Sequence, residues 1–215
     1  MKYQVIQAGE SRSFPSGHAL IQGGESAGDV VVIIGAGAGE ALRFLPQPES
    51  RKAVLIELGT ECLGAHTGEA RAEEGSNVVG FARFRLGDAP PSDLVELVRQ
   101  PRTAQTAIDA ARALFEQHGL KVALCGDFAG RIIDRLVRPY YNAALRRLDE
   151  GLATAGDMDT TLKLGLGYPE GPIELLERTG LAHHYDVTQA LYEACGDAAY
   201  APARRARVAK QRQDA

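Results

Sequence analysis

A glycine-rich loop is the first feature of this sequence with a recognisable chemistry. The letters GAGAGE at positions 35–40 follow the apolar run DVVVII, and Glu57 lies 22 residues beyond Gly35. Glycines after a strand let the backbone approach a pyrophosphate, and an acidic residue about 20 residues later binds a ribose hydroxyl. Gly35 and Gly37 are therefore candidate residues for binding a dinucleotide such as NAD.

Two features oppose dinucleotide binding at this loop. Glu40 stands where the third glycine of the fingerprint belongs, and its carboxylate would face a pyrophosphate at a helix N-terminus, which attracts anions. Pro46 and Pro48 also shorten the helix that has to follow the loop. The alternative interpretation is a glycine-rich turn after a buried strand.

Neither metal binding nor nucleophilic catalysis has a motif in the chain. The histidines show no HxxxH spacing, and none lies in a cluster with two carboxylates. The nucleophile motif GxSxG is absent. Adjacent helical residues point about 100° apart, so at most one of His183 and His184 can face a cleft. We expect no metal site and no hydrolase; the histidines are His18, His66, His118, His183 and His184.

Composition places the chain among globular proteins. Of its 215 residues, 45% are hydrophobic and 24% are charged, which excludes disordered and low-complexity classes. The net charge of −4 argues against a nucleic-acid partner. Basic residues concentrate in the last 13 positions, where we expect a solvated helix end, with a nucleic-acid arm as the alternative.

Cysteine number and hydropathy indicate a cytoplasmic protein. The chain has three cysteines, an odd number, and no two of them have CxxC spacing; they are Cys62, Cys125 and Cys195. This argues against a disulfide framework and against a zinc ribbon. The longest apolar run, at 30–39, is shorter than the roughly 18 residues that a membrane span needs. The first 20 residues lack the order of a signal peptide, so we expect neither a membrane association nor export.

The pattern of secondary structure changes near residue 127. Before it, strand-like runs rich in Val and Ile predict an α/β sheet covered on both faces, with one helix that begins after the N-cap Thr103 and ends at Gly119. After it, apolar residues at helical spacing predict helices only. The predicted strands are 3–8, 29–34, 53–58, 77–84, 94–98 and 121–125.

The second part of the chain is predicted as one long helix followed by shorter ones. The long helix covers 130–150 and contains Pro139, which predicts a kink. Thr154 and Asp157 resemble a capping box that opens the next helix toward Leu164. A turn-rich connection at 165–172 precedes helices at 173–178 and 181–194. We therefore divide the chain into an α/β part, 1–126, and an all-helical part, 127–215.

The most specific motifs lie in this helical part. RLVRPY at 135–140, DMDT at 157–160 and KLGLGYPEGPIELL at 163–176 closely resemble the helical C-terminal domain of L-3-hydroxyacyl-CoA dehydrogenases. The likeness extends over roughly residues 53–210. It implies a truncated Rossmann-like α/β layer followed by that family's helical domain, which in the family forms a homodimer and borders the acyl-CoA cleft.

The resemblance also assigns candidate catalytic positions. The family's catalytic histidine strand matches GFARFRL at 80–86, which puts Ala82 at the histidine position, and its orienting glutamate matches Glu96 in LVELV. Its serine aligns with Thr60 and its asparagine with Asp134. A methyl group cannot accept the proton of a 3-hydroxyl, so activity at this site should be slight. Burial could keep Asp134 neutral and able to donate a hydrogen bond.

Half of the family's NAD domain is missing from the chain. Gly35 precedes Ala82 by only 47 residues, so the run 29–42 looks more like a late strand of that domain than its first strand. The resemblance thus implies an acyl-CoA-binding or dimerising relative in fatty-acid or aromatic-acid β-oxidation, with impaired catalysis. The alternative is an active NAD-dependent 3-hydroxyacyl-CoA dehydrogenase with a displaced base, either Glu96 or His66. A third hypothesis, an unrelated dinucleotide-binding protein, depends on the glycine loop alone.

Overall fold

The structure is a computed structural model that describes residues 1–15 and 17–215. The chain divides into two compact units. The α/β unit comprises residues 1–85 and 91–132, and the helical unit comprises residues 86–90 and 133–215. No helix in the described residues has both the length and the apolar character needed to cross a membrane.

The α/β unit is built on a six-stranded sheet in which the strands lie in chain order. Strands β1 to β4 are parallel, β5 is antiparallel to β4, and β6 is parallel to β5. The N-terminal segment therefore pairs into the sheet through β1, and every predicted strand is confirmed. The strands are β1 Tyr3–Gln7, β2 Val30–Ile34, β3 Ala53–Glu57, β4 Val78–Arg83, β5 Leu94–Arg99 and β6 Lys121–Gly126.

Both faces of this sheet are covered, as the apolar runs predict. Along β2, Val30, Val32 and Ile34 belong to one core cluster, whereas Val31 and Ile33 belong to the other. Successive side chains of a strand point to opposite faces, so an unbroken Val/Ile run requires a layer on each side. Helix α4 packs in the first cluster and α2 in the second. The helices are α1 Ala19–Gln22, α2 Ala38–Arg43, α3 Gly64–Thr67 and α4 Gln105–Gln117, with a 3-10 turn at Pro48–Ser50.

The predicted N-cap of α4 is wrong. Ala104 is the cap residue, without a side-chain hydrogen bond, while the Thr103 hydroxyl accepts from the Gln100 N–H at 2.9 Å. A threonine hydroxyl can accept a hydrogen bond within a local turn as readily as it can cap a helix. Here it accepts within the turn that follows β5. The other end is as predicted, because Gly119 follows the C-cap with a φ of +80°.

The helical unit begins later than its apolar pattern predicts. Helix α5 covers Ile133–Asp149 rather than 130–150, because Gly130 and Arg131 have φ angles of +74° and +53°, which no right-handed helix contains. It continues through Pro139, where the kink remains a prediction. The remaining helices confirm the predicted segments: α6 Ala155–Leu166, α7 Pro172–Thr179 and α8 Leu181–Cys195, followed by α9 Arg204–Gln213 in the basic tail.

Residues of the motifs at 157–160 and 163–176 form the contacts between α6 and α7. Asp159 is buried and accepts from the backbone N–H groups of Ile173 and Glu174 at 2.9 and 3.0 Å, so it caps α7. A Cβ on Gly171 would lie 2.3 Å from Asp159, which explains the glycine. Lys163 binds both carboxylate oxygens of Glu174 at 3.1 Å. These motif residues therefore hold two helices together.

Candidate functional site

Ala82 and Glu96 face each other across the antiparallel pair of β4 and β5. Directly opposite residues of an antiparallel pair share one face of the sheet, with Cβ atoms roughly 5 Å apart. Both are buried, at 4% and 2% exposure. The sheet thus brings the predicted histidine position and the predicted glutamate together, but a methyl group stands in place of an imidazole.

The carboxylate of Glu96 is already engaged within the α/β unit. It accepts from the Ile132 backbone N–H at 2.9 Å and forms an ion pair with Nε of Arg131 at 3.4 Å. Only 6% of the Arg131 side chain is exposed. Sequence analysis missed Arg131. The available signal was a charged residue two positions before the start of the amphipathic helix α5.

Thr60 lies in the loop after β3, where its carbonyl accepts from the Gly130 N–H at 2.9 Å. This bond ties the loop to the segment that carries Arg131. Asp134, the fourth predicted site residue, belongs to the helical unit. The four candidate positions are therefore divided between the two units.

Asp134 is the first member of a buried polar chain inside the helical unit. It accepts from Nε of Arg138 at 2.7 Å, and Nη1 of Arg138 lies 3.1 Å from Nδ1 of His184. Asp134 thus accepts a hydrogen bond through Oδ1 in this arrangement. The chain continues from Nε2 of His184 to Oδ1 of Asn142 at 3.0 Å.

His184 is neutral in this buried polar chain of side chains. Arginine only donates, so Nδ1 of His184 is the acceptor and Nε2 carries the proton that binds Asn142. Burial, and after it the Arg138 guanidinium, lowers the pKa of His184 to about 3. The side chain of Asn142 completes the chain by donating to the carbonyls of Ala199 and Tyr200.

The glycine loop uses its backbone N–H groups within the protein. The Gly35 N–H donates to the Glu57 carboxylate at 2.7 Å, and the Gly37 N–H donates to the Ala8 carbonyl at 2.8 Å. The Ala36 N–H is bound by the Glu10 carbonyl at 3.1 Å. The N–H groups of Gly35, Ala36 and Gly37 thus have acceptors within the protein.

These contacts do not fit a dinucleotide. Glu57, placed by spacing at the ribose position, instead accepts from Gly35 and from the Ser13 N–H, and so puts a carboxylate against the loop. Gly35 has a φ of +101°, and a Cβ there would lie 2.6 Å from the Ala8 carbonyl oxygen. The segment after β1 therefore covers the loop where a pyrophosphate would approach.

A pocket of about 250 Å³ lies beside this loop, and His66 and Glu61 line it. Nε2 of His66 lies 3.2 Å from Glu61. Partial burial raises the pKa of Glu61, but hydrogen bonds from backbone N–H groups, including that of Gly59, and from His66 outweigh it and hold the pKa below its usual range. The imidazole proposed as a displaced base is therefore oriented by a carboxylate next to the glycine loop.

Gly39 leaves the space that His66 occupies, and this predicts opposite effects for two glycine substitutions. A Cβ on Gly39 would lie 2.0 Å from Nδ1 of His66, so Gly39→Ala should displace the imidazole and lower the free energy of unfolding by about 1–3 kcal/mol. Gly156→Ala, in open space on α6, should instead raise it by about 0.5–1 kcal/mol. Urea unfolding of both variants measures the difference; equal effects would contradict the packing of His66 on Gly39.

Among the described residues, no group of three or more His, Cys, Asp or Glu side chains could hold a metal ion.

Comparison with known proteins places these features in a family. Residues 130–213 match the family "3-hydroxyacyl-CoA dehydrogenase, C-terminal domain". A 3-hydroxybutyryl-CoA dehydrogenase of Bradyrhizobium diazoefficiens is 32% identical over 117 residues, 54% of this chain and 40% of that protein. The mitochondrial hydroxyacyl-coenzyme A dehydrogenase of Sus scrofa is 40% identical over 92 residues, 43% of this chain and 29% of that protein.

Solved structures extend the likeness to most of the chain. A 3-hydroxybutyryl-CoA dehydrogenase from Escherichia coli has a TM-score of 0.71 and 26% identity, and covers 91% of this chain and 41% of its own. The (S)-3-hydroxybutyryl-CoA dehydrogenase from Ralstonia eutropha has a TM-score of 0.68 at 24% identity, over 84% of this chain and 64% of its own. The match to the two curated relatives above spans only 29% to 40% of their length.

The fold is thus a Rossmann-like α/β layer joined to the helical domain of a dehydrogenase. Residues 130–213 match the C-terminal domain of the 3-hydroxyacyl-CoA dehydrogenase family, and most of the chain is similar in fold to 3-hydroxybutyryl-CoA dehydrogenases.

Proposed function

We propose that this chain binds acyl-CoA thioesters in fatty-acid or aromatic-acid β-oxidation and that it is a poor catalyst of the family reaction. Its relatives are named dehydrogenases of 3-hydroxybutyryl-CoA and other hydroxyacyl-CoA thioesters. The matched domain lies at residues 130–213 of this chain. Binding without efficient turnover is the role that this domain supports best when it stands beside an alanine at position 82.

The observation that carries this proposal is the pair Ala82 and Glu96. Oxidation of a 3-hydroxyl needs a group that takes the O–H proton as hydride leaves. Ala82 offers no lone pair, and the carboxylate opposite it is hydrogen-bonded to Ile132 and paired with Arg131. The Glu96 carboxylate therefore already accepts from a backbone N–H and a guanidinium of the protein. These contacts disfavour Glu96 as a displaced base, because they occupy the oxygens that would take the substrate proton.

We further propose that the glycine loop binds no dinucleotide. The hydrogen-bonded N–H groups of Gly35, Ala36 and Gly37 and the carboxylate of Glu57 support this, because a second anion would meet a carboxylate and three N–H groups that already have acceptors. NAD supplies a hydride acceptor when it is bound, but the residues of this loop do not fit it. We derive no step through that cofactor.

The second candidate function is an active NAD-dependent dehydrogenase, and one observation favours it. His66 is oriented by Glu61, as a general base would be. Its imidazole, however, packs against Gly39 of the glycine loop. This position supports a role of His66 in packing beside the glycine loop better than a role as the base that replaces the missing histidine at Ala82.

A homodimer and a cytoplasmic location complete the proposal. Large apolar side chains of the helical unit are exposed: Leu136 at 70%, Leu164 at 84% and Leu166 at 64%. Exposed apolar side chains of this size favour an interface between two copies of the chain. Light scattering would give the mass of the protein in solution and so its oligomeric state.

The proposed cytoplasmic location is supported by the cysteines. All three are free thiols, which is typical of a reducing compartment.

Calorimetry with two ligands tests the proposed function. Titration with acetoacetyl-CoA should give a saturable heat, because the proposal assigns thioester binding to this chain. Titration with NADH should give none, because the N–H groups of Gly35, Ala36 and Gly37 already have acceptors. Saturable NADH binding would contradict the assignment of the loop, and absence of any thioester binding would contradict the proposed function.

A further inference from the structure

Arg131 carries a hydrogen-bond donor that the protein itself does not satisfy. Its side chain is 94% buried, and Nη1 has no hydrogen-bond partner among the described residues. Within residues 1–15 and 17–215 its one ion-pair partner is Glu96, at 3.4 Å from Nε, which is long for an N–H···O bond. The backbone holds the side chain there with a φ of +53°, an angle that is uncommon outside glycine.

Such an arrangement is unfavourable unless an acceptor is supplied. Guanidinium stays protonated in proteins, so Arg131 cannot remove the penalty by losing its charge. A buried donor of a charged group without an acceptor loses its hydration and gains nothing in return. Natural structures rarely leave such a group, and those that do often hold a ligand or water there. The unpaired Nη1 is therefore an indication of a bound oxygen.

We propose that Nη1 of Arg131 donates to the 3-oxo oxygen of a 3-oxoacyl-CoA. This inference rests on the proposed function, which places the C3 oxygen of the ligand at Ala82 and Glu96. Arg131 is paired with Glu96, and Glu96 lies opposite Ala82 in the sheet. Arginine only donates, so it suits a carbonyl oxygen, which only accepts. The site therefore recognises an oxygen at C3 of the thioester and moves no proton.

The inference predicts a preference among thioesters that depends on Arg131. By calorimetry, the wild-type chain should bind acetoacetyl-CoA about tenfold or more tightly than butyryl-CoA, which lacks the 3-oxo oxygen. Arg131→Gln and Arg131→Lys should bind the two thioesters about equally. Lysine retains the positive charge beside Glu96 but has no second nitrogen at the position of Nη1. Arg102→Gln, which removes an exposed arginine paired with Glu73, is the matched control and should keep the preference.

The outcomes separate this inference from the proposed function. If neither thioester binds to the wild-type chain, the proposed function itself is wrong. If both bind with equal affinity to the wild-type chain, thioester binding stands and the role of Arg131 is wrong, as it would be for a donor that holds only water. A preference that survives in folded Arg131→Lys would also overturn it. Thermal unfolding identifies a variant that has lost its fold, and Arg131→Lys decides the case if Arg131→Gln does not fold.

Discussion

With NADH and acetoacetyl-CoA, the wild-type chain is expected to turn over roughly 10²–10⁴-fold more slowly than an ordinary member of the family, if turnover is detected at all. The expected loss is that of a general base, because Ala82 has no proton acceptor and Glu96 is engaged with Ile132 and Arg131. The absorbance of NADH, followed over time, measures the rate.

Ala82→His is expected not to restore this activity. The new imidazole would share a face with Glu96, but that carboxylate is already paired with Arg131, and the Gly35 N–H of the glycine loop would still be bound to Glu57 rather than to NADH. Ala82→Gln, of similar size and without a titratable nitrogen, is the control. Rates typical of dehydrogenases in the wild-type chain would overturn the proposed function, and a large gain in Ala82→His alone would show that the imidazole was the one missing part.

The stability of the protein is expected to fall as the pH is lowered from about 6.5 toward 4. His184 has a pKa of about 3 in the folded protein and the ordinary value of 6.5 when unfolded, so between these values the unfolded chain binds the additional proton. The stabilisation is complete above pH 6.5 and is lost as the pH approaches the folded pKa. Its full size is about 5 kcal/mol as an order of magnitude. Urea unfolding at a series of pH values measures it.

Two histidine variants isolate this effect. His184→Gln removes the titrating group, so its free energy of unfolding should be lower at pH 7 and should lose much of this pH dependence. His183→Gln alters the neighbouring, partly exposed imidazole, which lies 3.6 Å from Asp88, and should retain the wild-type profile. An unchanged pH profile in His184→Gln would show that the buried chain through Arg138 and Asn142 does not hold a neutral imidazole.

Local pattern was enough to predict the strands and the longer helices of this fold. Unbroken Val and Ile runs predicted the six strands and their coverage on both faces, because alternate side chains of one strand must be buried in two layers. Thr154 predicted the start of α6 correctly, since its hydroxyl accepts from the Asp157 N–H. Two predicted helix starts were wrong, the N-cap of α4 at Thr103 and the first residue of α5. Both are set by the geometry of a preceding turn, and the spacing of apolar residues carries no information about that geometry.

The sequence by itself determined the likeness of residues 130–213 to a dehydrogenase C-terminal domain, the helices of that part and the absence of an imidazole at position 82. Each of these depends on which residue stands at which place in the chain. Only the tertiary structure decided what the remaining polar groups do. It paired Glu96 with Arg131 and used the Gly35 N–H for Glu57. Partners 22 to 35 residues apart meet only when strands align, so the state of a carboxylate or an N–H group depends on the folded chain.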